Sequence, residues 1–384
     1  MAYELFPEAS GAILRGKLEA TYNSVPSIAD ADVYRCPLDA TFDSFKRASL
    51  PRTSQAAFIS GVKASPGQAA GEYSITAILD HHALTGSTDL STYADLPQAD
   101  IWLRAGGWQG SYTAAGDYTG LIKPDAIGLA GGSNDRILTY TYKPRSTSIG
   151  NTSARWQYTE IDESSEGLLH DIKGARHGWT LDMPGGDHWT LACDGKGLPT
   201  IPSRVASPTL TSTFDDNDAI VGLGGNYAVT KFLSTAATFG KASETADAST
   251  MTAFVYNMSL ASNLEVTEVV APNGTYGVAA VRYASGIPQL KCTIDQVMWS
   301  ADWDLYSFLN SSNGIRVSTT CALPGSTTSF VVFTFTGQIV DIARGADNGY
   351  RNVELTLDYI YPESSDDGGL TPAAGITLKY VTIV

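Results

Sequence analysis

Residues 178–198, GWTLDMPGGDHWTLACDGKGL, contain the side-chain types that active sites use. Acids, a histidine and a cysteine in one stretch are able to supply general acid–base or nucleophilic chemistry. The same stretch also has the pattern of a strand, a Pro-Gly-Gly turn and a second strand, because proline and glycine favour turns. Residues 314–339 repeat that pattern around Pro-Gly-Ser, and Ser329 or Phe330 there takes the place of His188. We therefore predict that His188 lies in a turn or on the surface and does no chemistry.

Two candidate metal sites lack the residues that a metal needs. His81 and His82 are adjacent, and neighbouring side chains on a strand point to opposite faces, so they do not form a joint metal site. Residues 214–222, FDDNDAIVG, begin like a calcium-binding loop. Ala219 then stands where an oxygen ligand is needed, and Ile220 stands where the loop requires glycine. An acidic, solvated loop is the better interpretation of this segment.

Other catalytic fingerprints are also incomplete. GLGGNY at 222–227 starts like a dinucleotide-binding loop, but Tyr227 occupies the third glycine position and no βαβ pattern surrounds it. No GxxxxGK[ST] phosphate loop and no GxSxG nucleophile elbow occurs. The paired acids at 215–216 and 366–367 lie in stretches typical of solvated loops. We predict no enzyme activity and no catalytic, cofactor-binding or metal-binding residues.

The charge balance argues against several classes of partner. The 384 residues include 25 Lys and Arg against 40 Asp and Glu, a net charge of −15. A field of this sign repels phosphate backbones and anionic lipid, so we predict neither specific nucleic-acid binding nor membrane binding. We see no secretory signal pattern and no run of about 18 uncharged apolar residues. The four cysteines are far apart in sequence, and we expect buried free thiols in a reducing cytoplasm: Cys36, Cys193, Cys292 and Cys321.

The elements that carry these residues are mainly strands. Val-, Thr-, Ile- and aromatic-rich runs alternate with Gly, Ser, Asn, Asp and Pro clusters, which predicts an all-β protein with few short helices. Segments 136–144 and 153–162 alternate and predict a hairpin, and further strands are predicted at 71–79, 352–362 and 375–384. Two short helices are predicted, one starting after the possible cap Asp95 and ending at Gly106 and Gly107, the other at 300–314.

A weak internal repeat divides the chain. The order strand, short helix, strand, turn and strand occurs in each half, and Gly195 corresponds to Gly337 at the end of the repeated pattern. The first half carries about 60 extra residues between its helix and its turn. We predict two related β domains, 1–205 and 206–384, with a long hairpin (about 108–170) inserted in the first. The junction falls in the Pro-, Ser- and Thr-rich stretch 198–213.

Several segments together resemble the tail tube proteins of long-tailed bacteriophages. They are QADIWLRAGGW (98–108), LTYTYKPRSTSIGNTSARWQY (138–158), LLHDIKGARHGWTLDMPGGDHWTLACDGKGL (168–198) and QIVDIARGADNGYRNVELTLDYI (338–360). The family has a helix ending in small residues, a Tyr-x-Pro-x-Ser strand, a GARG-like turn and an aromatic-Thr-Gly strand. Here His177 is inserted before the glycine of that turn. Cys193-Asp194-Gly195 replaces the aromatic-Thr-Gly motif, which the second half restores at 335–337.

The resemblance implies a β-sandwich or half-barrel domain whose sheets close into a β-barrel when subunits form a ring. Rings stack into a tube through which viral DNA passes without specific binding. Two such domains in one chain imply a ring of three chains, or of six if one domain lines the lumen. The inserted hairpin at 136–162 is then expected to reach the next ring, so that deleting 145–152 stops stacking.

The implied partners are further copies of the chain, the tape-measure protein and the tail-tip or terminator proteins. The implied location is the virion tail, after synthesis in the host bacterial cytoplasm. Another tail ring component, such as a distal tail or terminator protein, is the alternative in the same class. A carbohydrate-binding or carbohydrate-cleaving β-protein is the alternative in a different class. It predicts exposed tryptophans around a groove with two acids, and seven tryptophans are present in the chain.

Overall fold

The computed structural model describes the parts of the chain from which the sheets, the core and the candidate surfaces are built. The described residues are 12–29, 33–34, 39–56, 59–81, 84, 97, 99–116, 135–142, 153–161, 166–206, 218–220, 226–233, 245–252, 255–284, 286–295, 306, 309, 314–322, 328–347, 350–359 and 375–383.

These residues form one α-helix, α1 (Ala99–Ala105), and antiparallel strands. The strands in chain order are β1 (Ala12–Glu19), β2 (Val33–Tyr34), β3 (Asp39–Ala56), β4 (Ile59–Ile78), β5 (Asp80–His81), β6 (Trp108–Gly116), β7 (Asp135–Tyr142), β8 (Ser153–Ile161), β9 (Glu166–Pro184), β10 (Thr190–Leu198), β11 (Ser203–Ala206), β12 (Asp218–Ala219), β13 (Asn226–Leu233), β14 (Thr245–Thr252), β15 (Val255–Ala261), β16 (Val266–Thr275), β17 (Val278–Tyr283), β18 (Gln289–Asp295), β19 (Gly314–Ala322), β20 (Ser329–Asp347), β21 (Tyr350–Tyr359) and β22 (Thr377–Thr382). The predicted mainly β fold is confirmed.

A run of seven antiparallel strands combines both halves of the chain. Its order is β6–β7–β22–β20–β19–β13–β14. Strand β22 is the third of the seven, and its Leu378 pairs with Tyr140 of β7 on one side and with Phe333 of β20 on the other. The last strand near the end of the sequence therefore connects strands that are far apart in the chain. Within the described residues, β6 and β14 each pair with one strand only.

A second run of strands follows the order β3–β4–β10–β9–β15–β18–β21. Its centre also joins the two halves, because Leu181 of β9 pairs with Leu191 of β10 and with Leu260 of β15. The beginning of β9 pairs instead with β8 and β11, and β8 pairs with β1. Strand β9 thus changes partners along its length and links the N-terminal strands to the rest of the sheet.

Aromatic residues fill the core between these strands. Trp108 of β6 and Tyr142 of β7 contact the ring of Trp179 on β9, with centroids 5.0 and 5.3 Å apart. On another side, Trp102 of α1 stacks on Trp156 of β8 at 3.8 Å. All five side chains are almost completely buried. Rings of this size contribute large apolar areas, so we expect this cluster to dominate the stability of the fold.

Helix α1 confirms the first of the two predicted helices. Gly106 and Gly107 follow it as predicted, and Gly107 adopts a positive φ of 93°, which glycine tolerates at a helix C-terminus. Position Asp95, the predicted cap, lies outside the described residues. The second predicted helix, 300–314, also lies almost entirely outside them, with only Tyr306 and Leu309 described before β19 begins.

The predicted hairpin of 136–144 and 153–162 is wrong in its pairing. Both segments are strands, β7 and β8, but β7 pairs with β6 and β22, and β8 pairs with β1 and β9. Because both edges of each strand are occupied, no edge remains for β7 to pair with β8. The interpretation of 108–170 as one inserted hairpin therefore fails, and the expected inter-ring role of 136–162 loses its basis. The segment 145–152 lies outside the described residues.

The predicted GARG-like turn at 173–178 is also wrong. The chain continues through these residues as β9. Gly174 has a positive φ of 58°, and the pairing of β9 with β10 shifts register between Lys196 and Leu198, opposite this point. A β-bulge bends a strand without ending it, which explains why a glycine-containing motif here does not reverse the chain. At this bulge β9 passes from its pairing with β8 to its pairing with β10.

The last two strands of the predicted repeat pair in the same way in both halves of the chain. The strands predicted to precede them, β4 and β18, do not. Strands β9 and β10 pair around one turn, and β19 and β20 pair in the same antiparallel way. Gly195 lies opposite Tyr73, and a Cβ there would overlap the Tyr73 ring. Gly337 lies opposite Tyr359, but a Cβ there would overlap the Phe335 ring and the Asp358 backbone oxygen. However, β4 pairs with β10, whereas both edges of its predicted counterpart β18 are taken by β15 and β21. The domain boundary at 205 and 206 stays a prediction.

Candidate functional site

The turn that first suggested chemistry is a surface turn. Residues 185–187 connect β9 to β10, and His188 is exposed directly after them. Its backbone N–H donates a hydrogen bond to the Asp187 carboxylate at 2.7 Å, which is local turn geometry. The prediction that His188 lies in a turn or on the surface is confirmed.

A different histidine, His177, is buried in a polar network of the core. It is 0 % exposed, and its Nε2–H donates to the backbone oxygen of Trp102 at 2.7 Å. Nδ1 is then an acceptor, and the Tyr73 hydroxyl donates to it at 2.9 Å. Burial lowers the pKa of His177 to about 4, although the hydrogen bond to Trp102 opposes the shift. A neutral imidazole with both nitrogens hydrogen-bonded thus ties α1 to β9 and β4.

Two buried acids have raised pKa values and were not singled out by sequence. Burial raises the pKa of Glu19, whose carboxylate accepts hydrogen bonds from Ser153 and from the N–H groups of Asn23 and Gly174. Burial also raises the pKa of Asp100, which accepts a hydrogen bond from the Tyr140 hydroxyl at 2.8 Å. Raised pKa values can mark catalytic acids, but structural networks produce them as well. Each acid here connects separate elements of the core, which favours a structural role.

The tryptophans do not line a surface groove in the part of the chain that the structure describes. The five described tryptophans are at most 3 % exposed: Trp102, Trp108, Trp156, Trp179 and Trp189. Trp299 and Trp303 lie outside the described residues, as do the paired acids at 215–216 and 366–367. The carbohydrate alternative therefore lacks its expected platform within the described regions.

The cysteines described by the structure behave as predicted. Cys193, Cys292 and Cys321 are buried free thiols. Burial raises the pKa of both Cys292 and Cys321 to about 12, so neither is a reactive thiolate at neutral pH. Cys36 lies outside the described residues. Within the described ranges, no three His, Cys, Asp or Glu side chains lie close enough together to hold a metal ion.

The clearest candidate for an interaction surface is a two-stranded ribbon that sequence analysis did not single out. Beyond the base of the β3–β4 pair, residues 49–56 pair with residues 59–66. Eight residues in extended conformation span about 27 Å. Among the described residues, these two segments pair only with each other, because β4 reaches its other partner, β10, only at 71–78. The outer edge of each segment therefore presents backbone donors and acceptors to a further strand.

A sequence signal for this ribbon exists, although it is one of charge rather than of periodicity. Residues 46–68 contain four basic residues and no acid, while the rest of the chain has 21 basic and 40 acidic residues, a balance of −19. The basic residues are Lys46, Arg47, Arg52 and Lys63. A basic segment on a strongly acidic chain is suited to an acidic partner.

A cleft of about 540 Å³, with several charged residues in its lining, lies at the base of the ribbon. Lys46 of β3 forms an ion pair with Glu72 of β4 at 2.6 Å. Lys196 of β10 forms an ion pair with Glu268 of β16 at 3.0 Å. Both lysines that line the cleft thus form ion pairs, and the cleft lies at the junction of β3, β4, β10 and the β16–β17 hairpin.

These features together describe a protein with a buried aromatic core, buried polar side chains that connect separate elements, and a ribbon whose outer edges are unpaired among the described residues. In the described part of the chain, no helix has the length and apolar character needed to cross a bilayer. No protein-family model matches the chain, and no curated protein matches it.

Proposed function

We propose that this chain is a structural, self-assembling subunit of a bacteriophage tail tube, with no enzymatic activity. The observation that carries the proposal is the ribbon of residues 49–56 and 59–66, whose outer edges are open among the described residues. Open strand edges favour pairing with another chain unless they are covered. In a tube, a neighbouring copy of the chain covers these open edges. Assembly thus pairs edges that would favour aggregation of a monomer.

The arrangement of the sheets supports assembly as well. The seven-stranded run ends in β6 and β14, each paired on one side only within the described residues. An edge on each side of a subunit allows head-to-tail contacts, which close into a ring when the rotation permits. The resemblance at 98–108, 138–158, 168–198 and 338–360 points to the same class of protein.

The charge distribution fits both parts of this role. A negative body, with a balance of −19 outside residues 46–68, repels DNA that passes along a lumen. The four basic residues of 46–68 can at the same time be neutralised by the acidic body of another copy. The expected assembly is a ring of three chains if both halves contribute equally, or of six if one half lines the lumen. A tape-measure protein inside the tube and terminator or tail-tip proteins at its ends complete the set of partners.

Negative-stain electron microscopy of the concentrated, purified chain tests this proposal. Hollow tubes with a regular ring repeat are the expected result, and end-view averages distinguish three chains from six. A second chain, in which Asn-Gly replaces residues 49–66, is expected to remain folded but to form no stacked tubes. A matched control carries Asp187→Asn in the exposed turn and is expected to assemble like the unchanged chain.

Each result of this comparison leads to a definite conclusion. Normal tubes from the ribbon deletion would show that stacking does not use the ribbon. A monodisperse monomer at every concentration would contradict unaided self-assembly, and a glycan-binding screen would then test the carbohydrate alternative.

A further inference from the structure

The hairpin of β16 and β17, which we call the clamp (residues 266–283), closes through a strained turn. Val270 and Thr275 both lie opposite Val278, and the Gly277 N–H donates a hydrogen bond to the Gly274 backbone oxygen at 3.1 Å, so the chain reverses over residues 271–277. Tyr276 and Gly277, at the end of this turn, both have positive φ angles, 51° and 86°. Asn-Gly pairs favour positive φ angles in tight turns, and such a pair is present at 273–274, yet the positive φ angles of this turn lie at Tyr276 and Gly277. A bulky residue in the left-handed region is an outlier that marks a position where strain is retained.

The strained residue contacts the base of the ribbon. The backbone oxygen of Tyr276 accepts a hydrogen bond from the N–H of Ala69 at 3.2 Å. Its ring packs edge-on against Phe45, with centroids 4.8 Å apart and planes at 84°. Gly277 passes so close that a Cβ there would lie 3.3 Å from the Cβ of Gln68. The strained turn therefore contacts both ribbon strands, through Phe45 on β3 and through Gln68 and Ala69 on β4.

A second contact holds the clamp between the ribbon and the body of the protein. The Glu268 carboxylate accepts a hydrogen bond from Gln68 Nε2 at 2.9 Å and pairs with Lys196 Nζ at 3.0 Å. Gln68 belongs to the ribbon base, whereas Lys196 lies on β10 of the body. The Glu268 carboxylate thus bridges the ribbon base and the body. At its other end, the clamp is fixed to the body by Arg176, whose guanidinium stacks on Tyr283 at 5.3 Å.

We propose that the clamp fixes the direction in which the ribbon leaves the body, and that Tyr276 keeps its strained conformation for this contact. The pairing of β4 with β10 ends at Gly71, so the ribbon has no sheet neighbour beyond that point within the described residues. The clamp supplies the missing support through Tyr276 and Glu268. Release of these contacts leaves the core intact and lets the ribbon swing about its base. This property belongs to a single chain and does not depend on the proposed assembly.

Tyr276→Asn distinguishes this role from a contribution to the stability of the whole fold. The variant is expected to affect the stability of the body and the local protection of the ribbon base in opposite directions. Asn tolerates positive φ, so the free energy of unfolding of the body is expected to stay constant or to rise. The lost edge-to-face pair is expected to speed hydrogen exchange of the Ala69 amide about fivefold, which corresponds to roughly 1 kcal/mol. Tyr256→Asn is the matched control, since Tyr256 is 40 % and Tyr276 41 % exposed.

Ribbon direction is measured by electron–electron resonance between spin labels at Gln55→Cys and Asp187→Cys, in a Cys36→Ser background and in dilute protein. The distance distribution is expected to broaden for Tyr276→Asn and for a second variant, Glu268→Ala, and to stay narrow for Tyr256→Asn. An unchanged distribution in both clamp variants overturns the proposal. Loss of body stability that matches the faster exchange at Ala69 also overturns it, because Tyr276 would then support the whole fold. Loss of tubes with an unchanged distribution would concern the proposed function alone.

Discussion

The body and the ribbon of this protein are built from the same antiparallel pairing but differ in what surrounds each strand. In the body, β9 is paired on both edges and its side chains Trp179 and Leu181 are buried. In the ribbon, residues 49–56 and 59–66 pair only with each other among the described residues. Apolar burial is the main source of folding free energy, so the body provides stability. An open strand edge adds little stability and favours association with another chain.

The polar groups of the body and those at the ribbon base also differ in what surrounds them. The hydrogen bonds of His177, Glu19 and Asp100 are made to groups inside the protein, and these side chains hold separate elements together. At the ribbon base, by contrast, Lys46 is exposed and paired with a partly exposed glutamate. Exposed ion pairs contribute little to stability and are weakened by salt. Substitutions in the body should therefore change folding, whereas substitutions in the ribbon should change association.

The largest effect is expected from the centre of the core. Trp156 is fully buried, stacks on Trp102 at 3.8 Å and covers Gly16, where a Cβ would lie 2.1 Å from its ring. Trp156→Ala should lower the free energy of unfolding by about 4 kcal/mol, because it removes a large apolar surface and leaves a cavity. Urea denaturation followed by circular dichroism measures this change. Ile287→Ala, at a side chain that is 61 % exposed, is the control and should change stability by less than about 0.5 kcal/mol.

A pH effect should come next in size and should also be confined to the body. The pKa of His177 is about 4 in the folded chain against 6.5 for an ordinary histidine. Between these values the unfolded chain binds more protons than the folded chain, so stability falls as the pH drops from 6.5 towards 4. A difference of this size corresponds to a loss on the order of 3 kcal/mol. Stability measured by urea denaturation across this pH range gives the size of the loss.

The variant His177→Gln isolates this contribution. Glutamine offers a donor towards the Trp102 oxygen and an acceptor towards Tyr73 but does not titrate. Glu19 and Asp100, whose pKa values are raised by burial, act in the opposite direction and equally in both chains. The unchanged chain should therefore lose more stability on acidification than the variant. Parallel pH curves for the two chains would show that His177 does not titrate as its burial requires.

The sequence predicts elements well and their partners poorly. The alternation of residues 136–144 and 153–162 correctly indicates strands, but it does not contain the information that β22 takes the free edge of β7. The partner strand comes from the far end of the chain, and local periodicity carries no information at that range. In contrast, the Pro-Gly-Gly turn before His188 was predictable, because its geometry is determined by residues within the turn itself.

The ribbon was missed for a different reason. Residues 46–68 include Pro51, Pro66 and many small residues, which have low β propensity, so no strand pattern is apparent. The absence of Asp and Glu from residues 46–68 is the sequence signal that distinguishes this segment from the rest of the chain. The clamp contact through Tyr276 could not be predicted, because the positive φ angles lie at Tyr276 and Gly277 rather than at Asn273-Gly274, and because Phe45, which Tyr276 contacts, is distant in sequence.

Charge reversal in the ribbon should have the smallest effect on folding. It is also the most direct test of the difference between the body and the ribbon. Arg52→Glu combined with Lys63→Glu should change the free energy of unfolding by less than about 0.5 kcal/mol, because these segments pair only with each other among the described residues and substitutions away from a packed core rarely do more. The same change should weaken self-association, since residues 46–68 would go from a charge of +4 to 0 on an otherwise acidic chain. Sedimentation velocity at increasing salt measures the association.

The matched control reverses two exposed basic residues of the body, Lys291→Glu and Arg351→Glu, on β18 and β21. If the ribbon associates through charge, salt should dissociate the unchanged chain and the control alike, while the ribbon variant stays dissociated at all salt concentrations. If instead the open strand edges dominate, the ribbon variant should associate normally and salt should have little effect, because backbone pairing does not depend on these charges. Association weakens with salt in the first outcome and is nearly independent of salt in the second, so the two outcomes distinguish charge from strand pairing as the basis of association, without a change in the stability of the body.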